Sequence, residues 1–464
     1  MTPPRTGWAL LLLMLMPPGV VAADPADPVD QAAQALLELS AQRSEGASGE
    51  ATLTLEDILA IALRDNPGLA SKGAQLQNRQ ASASASFRKM LPTLALSATR
   101  SDIQFATAAG SSEAESFGTT LTLTQPIYRG GALWSGWKSS QTQEQQAKLE
   151  FTHAARTLTK EVKAGWYALL EKRQLLKEAE AAMTRLHQHE KNAQAFFREG
   201  RIWRNEILQA SVKVAQGEQN LITARNQVEL AKAELNRLMR RPMDHPLDPS
   251  GALTWAPMNW TLAEAYAHAR RHRTDLERSR LEIEVGKSNE TSAASAALPS
   301  VTLTGSYTLD SPTSSYHEND ATLTTLLSVN WTAWNWGQTG QEVTAAKAGT
   351  LKNQLVFDDQ LQSVLLETRK AFLASTESAV RIEVIKKSLQ QAEENYRVNQ
   401  IRYREQLGTA TDVLDAMDLL TNTRNTYTSA LATYLTSMAA LDLAVGKGAE
   451  NLEMTKNATL PAKP

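Results

Sequence analysis

The chain has 464 residues, with 48 lysines and arginines against 50 aspartates and glutamates, so its formal net charge is −2. This balance argues against a nucleic-acid-binding protein, which normally carries a basic excess. The sequence contains no cysteine, which excludes disulfides, thiol catalysis, Cys-ligated zinc, iron–sulfur clusters and a lipid anchor on an N-terminal cysteine.

Residues 1–23 have the pattern of a secretory signal peptide. Arg5 provides a positive charge, Trp8–Met16 an apolar run and Val20–Ala23 the small residues of a cleavage site. The alternative is a transmembrane helix, but the run is well short of the roughly 20 residues that a span needs. We therefore expect export from the cytoplasm, with a flexible segment at residues 24–52 before the folded part.

Residues 53–240 predict one unit in the order helix, two strands, long helix, turn, helix. The strands are expected at about 92–105 and 116–125, and the long helix, over residues 138–198, at a length of about 90 Å. The returning helix has large apolar residues seven positions apart, with small residues between them, which is typical of a coiled coil. These large residues are Ile207, Val214, Leu221, Val228 and Leu235. Periodicity alone does not separate a coiled-coil spacer from the wall of a tube.

A second copy of the unit is expected at residues 261–446, after a linker or equatorial segment at 241–260. Thr54–Leu55 recurs 207 positions later as Thr261–Leu262, and Arg198–Glu199 recurs 206 positions later as Arg404–Glu405. This indicates duplication, because chance similarity between two helical stretches would not keep its register. Residues 447–464 are expected to be a flexible tail.

The strands of the second copy, at about 300–309 and 321–331, alternate between apolar and hydroxylated residues. This period of two fits a transmembrane barrel strand, although a half-buried strand of a soluble sandwich alternates too. Tryptophans lie just past two strand ends, which predicts a girdle at the membrane–water interface. They are Trp134, Trp137, Trp331, Trp334 and Trp336.

The four strands of one chain are too few to close a membrane barrel, since small barrels need about eight. Two copies would give a barrel filled by side chains, and three copies would give twelve strands with room for a pore. We therefore expect the chain to oligomerise, as a trimer if its task is transport.

The chain resembles the TolC family of trimeric outer-membrane export channels from about Leu53 to Gly446. The resemblance is carried by the duplicated plan and by the segments TLEDILAIALRDNPGL, LPTLALSATRS, LTQPIYRGG, FREGRIWRNEILQA and RYREQLGTATDVLDA. It implies a mainly α fold with a small transmembrane β part, in which a trimeric 12-stranded β-barrel continues into a long α-helical coiled-coil barrel. It also implies an outer-membrane location that extends into the periplasm, a periplasmic adaptor protein, an inner-membrane pump and contact with outer-membrane lipid.

The resemblance further implies a gate at the periplasmic tip. Asp412 and Asp415 match the family's two constricting aspartates, and Tyr403 and Glu206 match residues that latch neighbouring coils. The residues themselves leave an alternative open for the aspartates, because acidic side chains near a helix start also complement the helix dipole. Gly408 stands where the family has an arginine, and Gln406 where its second tip turn usually has glycine.

We expect no enzyme activity, no cofactor, no metal site and no nucleic-acid partner. His268 and His272 have the spacing of a metal pair, but neighbouring arginines would oppose a cation. The predicted function is a passive conduit across outer membrane and periplasm in a tripartite efflux or type I secretion system. The alternative is a periplasmic or secreted coiled-coil scaffold without a pore. The sequence is compatible with a drug, a metal or a protein as cargo.

Overall fold

The computed structural model describes residues 53–107, 110–311 and 321–448, without side-chain detail at 104–114. The predicted signal peptide, the segment at 24–52 and the tail beyond residue 448 lie outside the described residues. Among the described residues, Leu53–His245 and residues 249–448 form one structural unit.

Four helices and two strands form the first copy of the duplicated unit. They are α1 (Leu55–Asp65), α2 (Pro67–Arg88), β1 (Thr93–Thr107), β2 (Gly110–Arg129), α3 (Ala132–Arg198) and α4 (Arg204–Leu238). The second copy contains α5 (Leu262–His272), α6 (Thr274–Ser295), β3 (Ser300–Ser311), β4 (Ala321–Asn330), α7 (Gln338–Arg404) and α8 (Ala410–Ala444). The corresponding helices have 11, 22, 67 and 35 residues in both copies, which confirms the duplication.

The first helix of each copy starts in the same way. Thr54 caps α1 and Thr261 caps α5, each through a capping box with an acidic residue three positions later. Such a box satisfies two backbone amides that the helix itself cannot, so it fixes where the helix begins. The two copies therefore begin at equivalent positions because the same local signal is present in both.

The four strands form one antiparallel sheet in the order β1-β2-β3-β4, so the hairpins of the two copies meet where β2 pairs with β3. β1 and β2 extend beyond the ranges expected from the alternation, because their ladder continues to the pair Thr107–Gly110. β2 also runs past Pro126, where its register against β3 shifts before Tyr128.

The two faces of the sheet differ in chemistry. One cross-strand row is apolar and joins Leu96, Leu121, Tyr307 and Leu323. All four are exposed in the single chain, by between 40% and 76%. The neighbouring row on the opposite face is hydroxylated, and joins Ser97, Thr120, Thr308 and Thr322. The alternation seen in the sequence therefore becomes a sheet with one apolar and one polar face.

The helices α3 and α7 each have 67 residues, which at about 1.5 Å per residue makes each about 100 Å long. The shorter α4 and α8 return along them. Of the heptad positions predicted to form the seam of the first copy, Val214, Val228 and Leu235 are buried, while Ile207 and Leu221 are half-buried. In the second copy Tyr434 and Leu441 are at 0% exposure. Buried small residues such as Ala210 and Ala416 lie between them. Large and small residues therefore alternate along the seam as a knobs-into-holes interface requires.

No helix among the described residues is both long enough and apolar enough to cross a membrane.

Candidate functional site

The predicted gate residues lie at the two turns that join the long helices to the returning ones. In the first turn the Gly200 amide donates to the Phe197 carbonyl at 2.9 Å, and in the second the Gln406 amide donates to the Tyr403 carbonyl at 3.1 Å. Gly200 has φ +69° and Gln406 has φ +61°, so both turns end the long helix with a left-handed residue. The glycine that the family usually has at the second turn is thus replaced without a change of turn geometry.

The two aspartates of the predicted constriction differ in their local bonding. The Asp412 carboxylate accepts the amide of Thr409 at 2.9 Å, and the Asp412 amide donates to the Thr409 hydroxyl at 3.2 Å, which forms a capping box at the start of α8. These bonds, with a smaller contribution from the charge of Arg402, lower the pKa of Asp412. Asp415 is exposed one turn further along the same helix. Asp412 therefore stabilises the helix start and carries a negative charge at the tip.

The structure brings Tyr403 and Glu206 together. Tyr403 is 6% exposed and packs with Phe196, Val413 and Met417. Burial, and then the nearby Glu206 carboxylate, raise the pKa of Tyr403 to about 12. Its hydroxyl makes no hydrogen bond of normal geometry among the described residues, so Glu206 acts on it mainly through its charge.

A buried histidine beside Tyr403 was not predicted. His189, on α3, is 3% exposed, its ring centre lies 5.2 Å from that of Tyr403, and its Nε2 has no hydrogen-bond partner among the described residues. Desolvation lowers the pKa of His189, because burial disfavours the charged ring. The sequence offers one indication that His189 is buried. It lies one helical turn before Ala193, which is buried, so the two side chains share a face of α3.

An arginine also contacts the second turn, although the sequence did not predict a role for it. Arg402 donates from its guanidinium to the Leu407 carbonyl at 3.2 Å, next to Gly408. The second tip therefore keeps a positive charge near Asp412, although the family's arginine position is occupied by glycine.

Polar bonds connect the two coiled-coil hairpins just behind the tips. Lys213 on α4 pairs with Asp418 on α8 at 2.6 Å. Arg424 on α8 bonds Glu178 on α3 at 3.3 Å and Glu393 on α7 at 2.8 Å. A movement of one hairpin against the other within a chain has to break the Lys213–Asp418 and Arg424–Glu178 bonds, whereas the Arg424–Glu393 bond lies within the second hairpin.

The predicted girdle tryptophans lie at the junctions between sheet and helices, in two groups. Trp134 and Trp137 contact each other at 4.8 Å in the first turns of α3. Trp334 and Trp336 contact each other at 6.0 Å before α7, and Trp331 donates from its indole nitrogen to the Ala297 carbonyl. Four of the five are exposed by 61% or more.

A protein-family model described as outer membrane efflux protein matches residues 58–239 and 265–447, one match in each copy of the unit. No curated protein sequence matches the chain.

Solved structures of three outer-membrane proteins are similar to this chain. The Campylobacter jejuni outer-membrane channel CmeC is 17% identical with a TM-score of 0.78, and the match covers 87% of this chain and 89% of CmeC. Vibrio cholerae VceC is 18% identical with a TM-score of 0.76, covering 85% and 97%. The open state of the Neisseria gonorrhoeae channel MtrE is 19% identical with a TM-score of 0.74, covering 85% and 89%.

Proposed function

The chain belongs to the outer membrane efflux protein family, and from this premise we propose that three copies form one passive channel from the periplasm through the outer membrane. A periplasmic adaptor and an inner-membrane pump would complete the tripartite system, and the pump would supply the energy. The chain itself would catalyse no reaction. None of the observations favours the alternative of a scaffold without a pore.

The observation that carries this proposal is the two-sided sheet. Its apolar face is exposed in the single chain and suits contact with lipid, while its hydroxylated face suits a water-filled interior. Within the described residues, β1 and β4 each pair on one side only. Pairing β1 of one copy with β4 of the next would satisfy both edges and bring twelve strands together.

The long helix α7 supports the same assembly. Leu366, Leu373 and Val380 are seven residues apart and exposed by more than 50%. They face away from the buried Thr368, Ser375 and Ile382, because two positions along a helix turn it by about 200°. This apolar stripe has the period of a coiled-coil seam, and a second copy of the chain would cover it.

We propose that Asp412 and Asp415 narrow the channel at its periplasmic end, with Tyr403 and Glu206 holding the adjacent coils. Three copies would place six carboxylates around one axis, and such a ring favours cations while its carboxylates repel each other. The five tryptophans would sit at the membrane–water boundary, where amphipathic rings concentrate.

Single-channel recording in planar bilayers tests the gate. Asp412→Asn with Asp415→Asn removes both charges but leaves an oxygen that accepts the Thr409 amide, so the capping box is retained. We expect higher conductance and weaker block by multivalent cations. The control is Asp358→Asn with Asp359→Asn, two exposed aspartates on α7 far from the tip. Unchanged conductance and block in the tip variant would refute the gate, and absence of any channel from the unaltered protein would refute the conduit.

A further inference from the structure

A hollow of about 460 Å³ lies beside the last turn of α5, away from the tips and from the sheet. Aromatic rings line it in a row. The Trp260 ring meets the His268 ring edge-on at 5.4 Å, and the His268 ring stacks on the His272 ring at 4.0 Å. We call this hollow, with Arg271 and Lys447, the ring-and-cation pocket.

Each of the two imidazoles in the pocket has a hydrogen-bond partner at only one of its ring nitrogens. The Nδ1 atom of His268 lies 2.7 Å from the Val445 carbonyl oxygen, and that of His272 lies 3.1 Å from the His268 carbonyl oxygen. A carbonyl only accepts hydrogen bonds, so both Nδ1 atoms carry the proton. Each Nε2 is left without a partner among the described residues and is available to a ligand.

The charge of the pocket is positive and unpaired. Neither Arg271 nor Lys447 makes an ion pair among the described residues, and the Lys447 ammonium lies 5.0 Å above the Trp260 ring. The acidic residue of the pocket, Glu264, uses one oxygen of its carboxylate to accept the amide and hydroxyl of Thr261. An anion therefore finds two cations there that form no ion pair with any carboxylate of the described residues.

The pocket is built from elements that are fixed against each other. Gly446, directly before Lys447, has φ +82°, and a Cβ atom there would lie 2.7 Å from the His272 carbonyl oxygen. Only glycine lets the chain pass so close to the end of α5. Val445 is 0% exposed, so the turn that presents Lys447 is anchored in the core.

The first copy of the unit shows that the fold does not need this cluster. The residues equivalent to Trp260, His268 and His272 are Leu53, Ile61 and Asp65. The arginine is retained as Arg64, but Asp65 neutralises it at 2.7 Å. A cation also stands at the position of Lys447, as Arg241. The first copy thus has neither the row of rings nor an unpaired arginine at the position of Arg271, so the ring-and-cation pocket is a specific feature of the second copy.

We propose that the ring-and-cation pocket binds a sugar that carries a carboxylate. His272 is exposed, so the face of its ring that does not stack on His268 can carry the apolar side of a sugar ring, and the two Nε2 atoms can bond the sugar hydroxyls. Arg271 and Lys447 would pair with the carboxylate. A metal ion does not fit, because the cations repel it and no group of three or more His, Asp or Glu ligands is arranged to hold one in the described chain.

The level of the pocket suggests where this sugar is found. Arg156 of α3 donates to the His272 carbonyl at 2.9 Å, and it lies 24 residues, or about 36 Å, along the helix from its start at Ala132 below the sheet. If the sheet lies in the outer membrane, as the proposed function holds, the pocket lies in the periplasm. N-acetylmuramic acid is an acidic sugar of that compartment wherever its lactyl carboxylate is free; in the intact cell-wall polymer this group is bound to the peptide as an amide and carries no charge.

Binding to the purified full-length protein in detergent tests the proposal. The probes are N-acetylmuramic acid, N-acetylglucosamine, which has the same ring without the carboxylate, and inorganic phosphate, measured by ligand-observed NMR. We expect N-acetylmuramic acid to bind and the other two to compete at least tenfold less well. Co-sedimentation with purified cell-wall sacculi, before and after an amidase removes the peptides and frees the lactyl carboxylates, separates the polymer from the free sugar as the preferred source. Binding to intact and to amidase-treated sacculi alike would show that the carboxylate is not recognised.

The test variant is His268→Ile with His272→Asp, which installs the residues of the first copy and so should fold. We expect at least a tenfold loss of N-acetylmuramic acid binding, with unchanged channel conductance in bilayers. Arg64→Ala, at the equivalent site of the first copy, is the control and should bind normally. Binding that survives the double change, or equal competition by phosphate or N-acetylglucosamine, overturns the proposal. Conductance is scored separately, so a failed pocket and a failed channel give different results.

Discussion

The two copies of the unit share their helix lengths residue for residue, yet they differ in chemistry at equivalent positions. The junction after the first helix shows this well. In the first copy the Asn66 side-chain amide donates to the Leu238 carbonyl at 3.0 Å. In the second, Arg273 reaches the equivalent carbonyl of Ala444 at 3.5 Å. The same backbone contact is therefore made once by a neutral group and once by a charge.

The charged version requires partners. Arg273 is 7% exposed, and it bonds Asp275 at 2.7 Å and Glu367 at 2.6 Å. Burial alone would lower the pKa of Arg273, but these carboxylates outweigh it and raise the pKa. The shared scaffold thus places an equivalent side chain next to an equivalent backbone carbonyl in both copies. The residue that bonds to this carbonyl, and the partners which that residue requires, differ between the copies.

The largest expected effect comes from breaking the charged junction. Arg273→Met leaves the largely buried Asp275 without its partner, so we expect a loss of about 3–5 kcal/mol in stability. Asn66→Ala removes only a neutral hydrogen bond and should cost about 1 kcal/mol. Thermal unfolding in detergent at one protein concentration measures both. Equal losses in the two variants would contradict the distinction, and adding Asp275→Asn to Arg273→Met should recover part of the loss.

The next effect concerns pH at the tips, where the first copy has the buried His189 and the second has the exposed Asn395 at the equivalent position. The pKa of His189 is lowered by folding from 6.5, so the unfolded chain binds the proton more readily. The free energy of unfolding is therefore unaffected by the protonation of His189 well above pH 6.5. As the pH falls below 6.5, the free energy of unfolding decreases by at most about 1.4 kcal/mol per pH unit. The protection of the tip amides from hydrogen exchange, measured relative to the intrinsic exchange rate at each pH, should therefore fall between pH 7.5 and 5.5.

His189→Gln should remove this part of the pH dependence. His187→Gln, at an exposed histidine of the same helix, should leave it unchanged. An identical pH response in the wild type and in His189→Gln would show that the buried imidazole has no part in it.

A smaller effect is expected from exchanging helix caps between the tips. α8 starts with the capping box of Thr409, whereas α4 starts at Trp203 without a side-chain cap. Thr409→Ala should cost about 1 kcal/mol. Trp203→Thr should gain a similar amount, because Glu206 already stands at the third helical position. Exchange rates of the first-turn amides check this, and a gain at both tips or at neither would be inconsistent with the cap assignment.

The smallest effect concerns the left-handed residue of each turn. Gln406→Gly should stabilise the second turn by a few tenths of a kcal/mol up to about 1 kcal/mol, because left-handed backbone is strained for a residue with a Cβ. Gly200→Gln should destabilise the first turn by a similar amount. Chemical unfolding midpoints of the two variants should shift in opposite directions, and shifts in the same direction would show that the turns are not equivalent.

Local periodicity predicted much of the fold, because the residues that define a coiled-coil seam or an alternating strand lie only a few positions apart in the sequence. The duplication and the buried seam through Leu235 and Leu441 were visible in this way. The contacts that the sequence did not predict are made between residues far apart in the chain. His189 meets Tyr403 only when α3 and α7 pack, and Arg273 meets Glu367 across 94 positions. His268 and His272 were recognised as a pair, but Trp260 and Lys447 reach them from flanking segments that carry no periodic signal.

The pairing of β2 with β3 has a consequence for how the chain acquires its fold. The hydroxyls of Thr120 and Thr308 meet across the sheet although 188 positions separate them. The first hairpin, β1–β2, therefore remains without its partner strand β3 while more than a hundred residues of helix are synthesised. Closing so long a loop is slow, and an unpaired strand edge invites aggregation in the meantime. Biogenesis of this protein should accordingly depend on a chaperone that shields the first hairpin until the second one arrives.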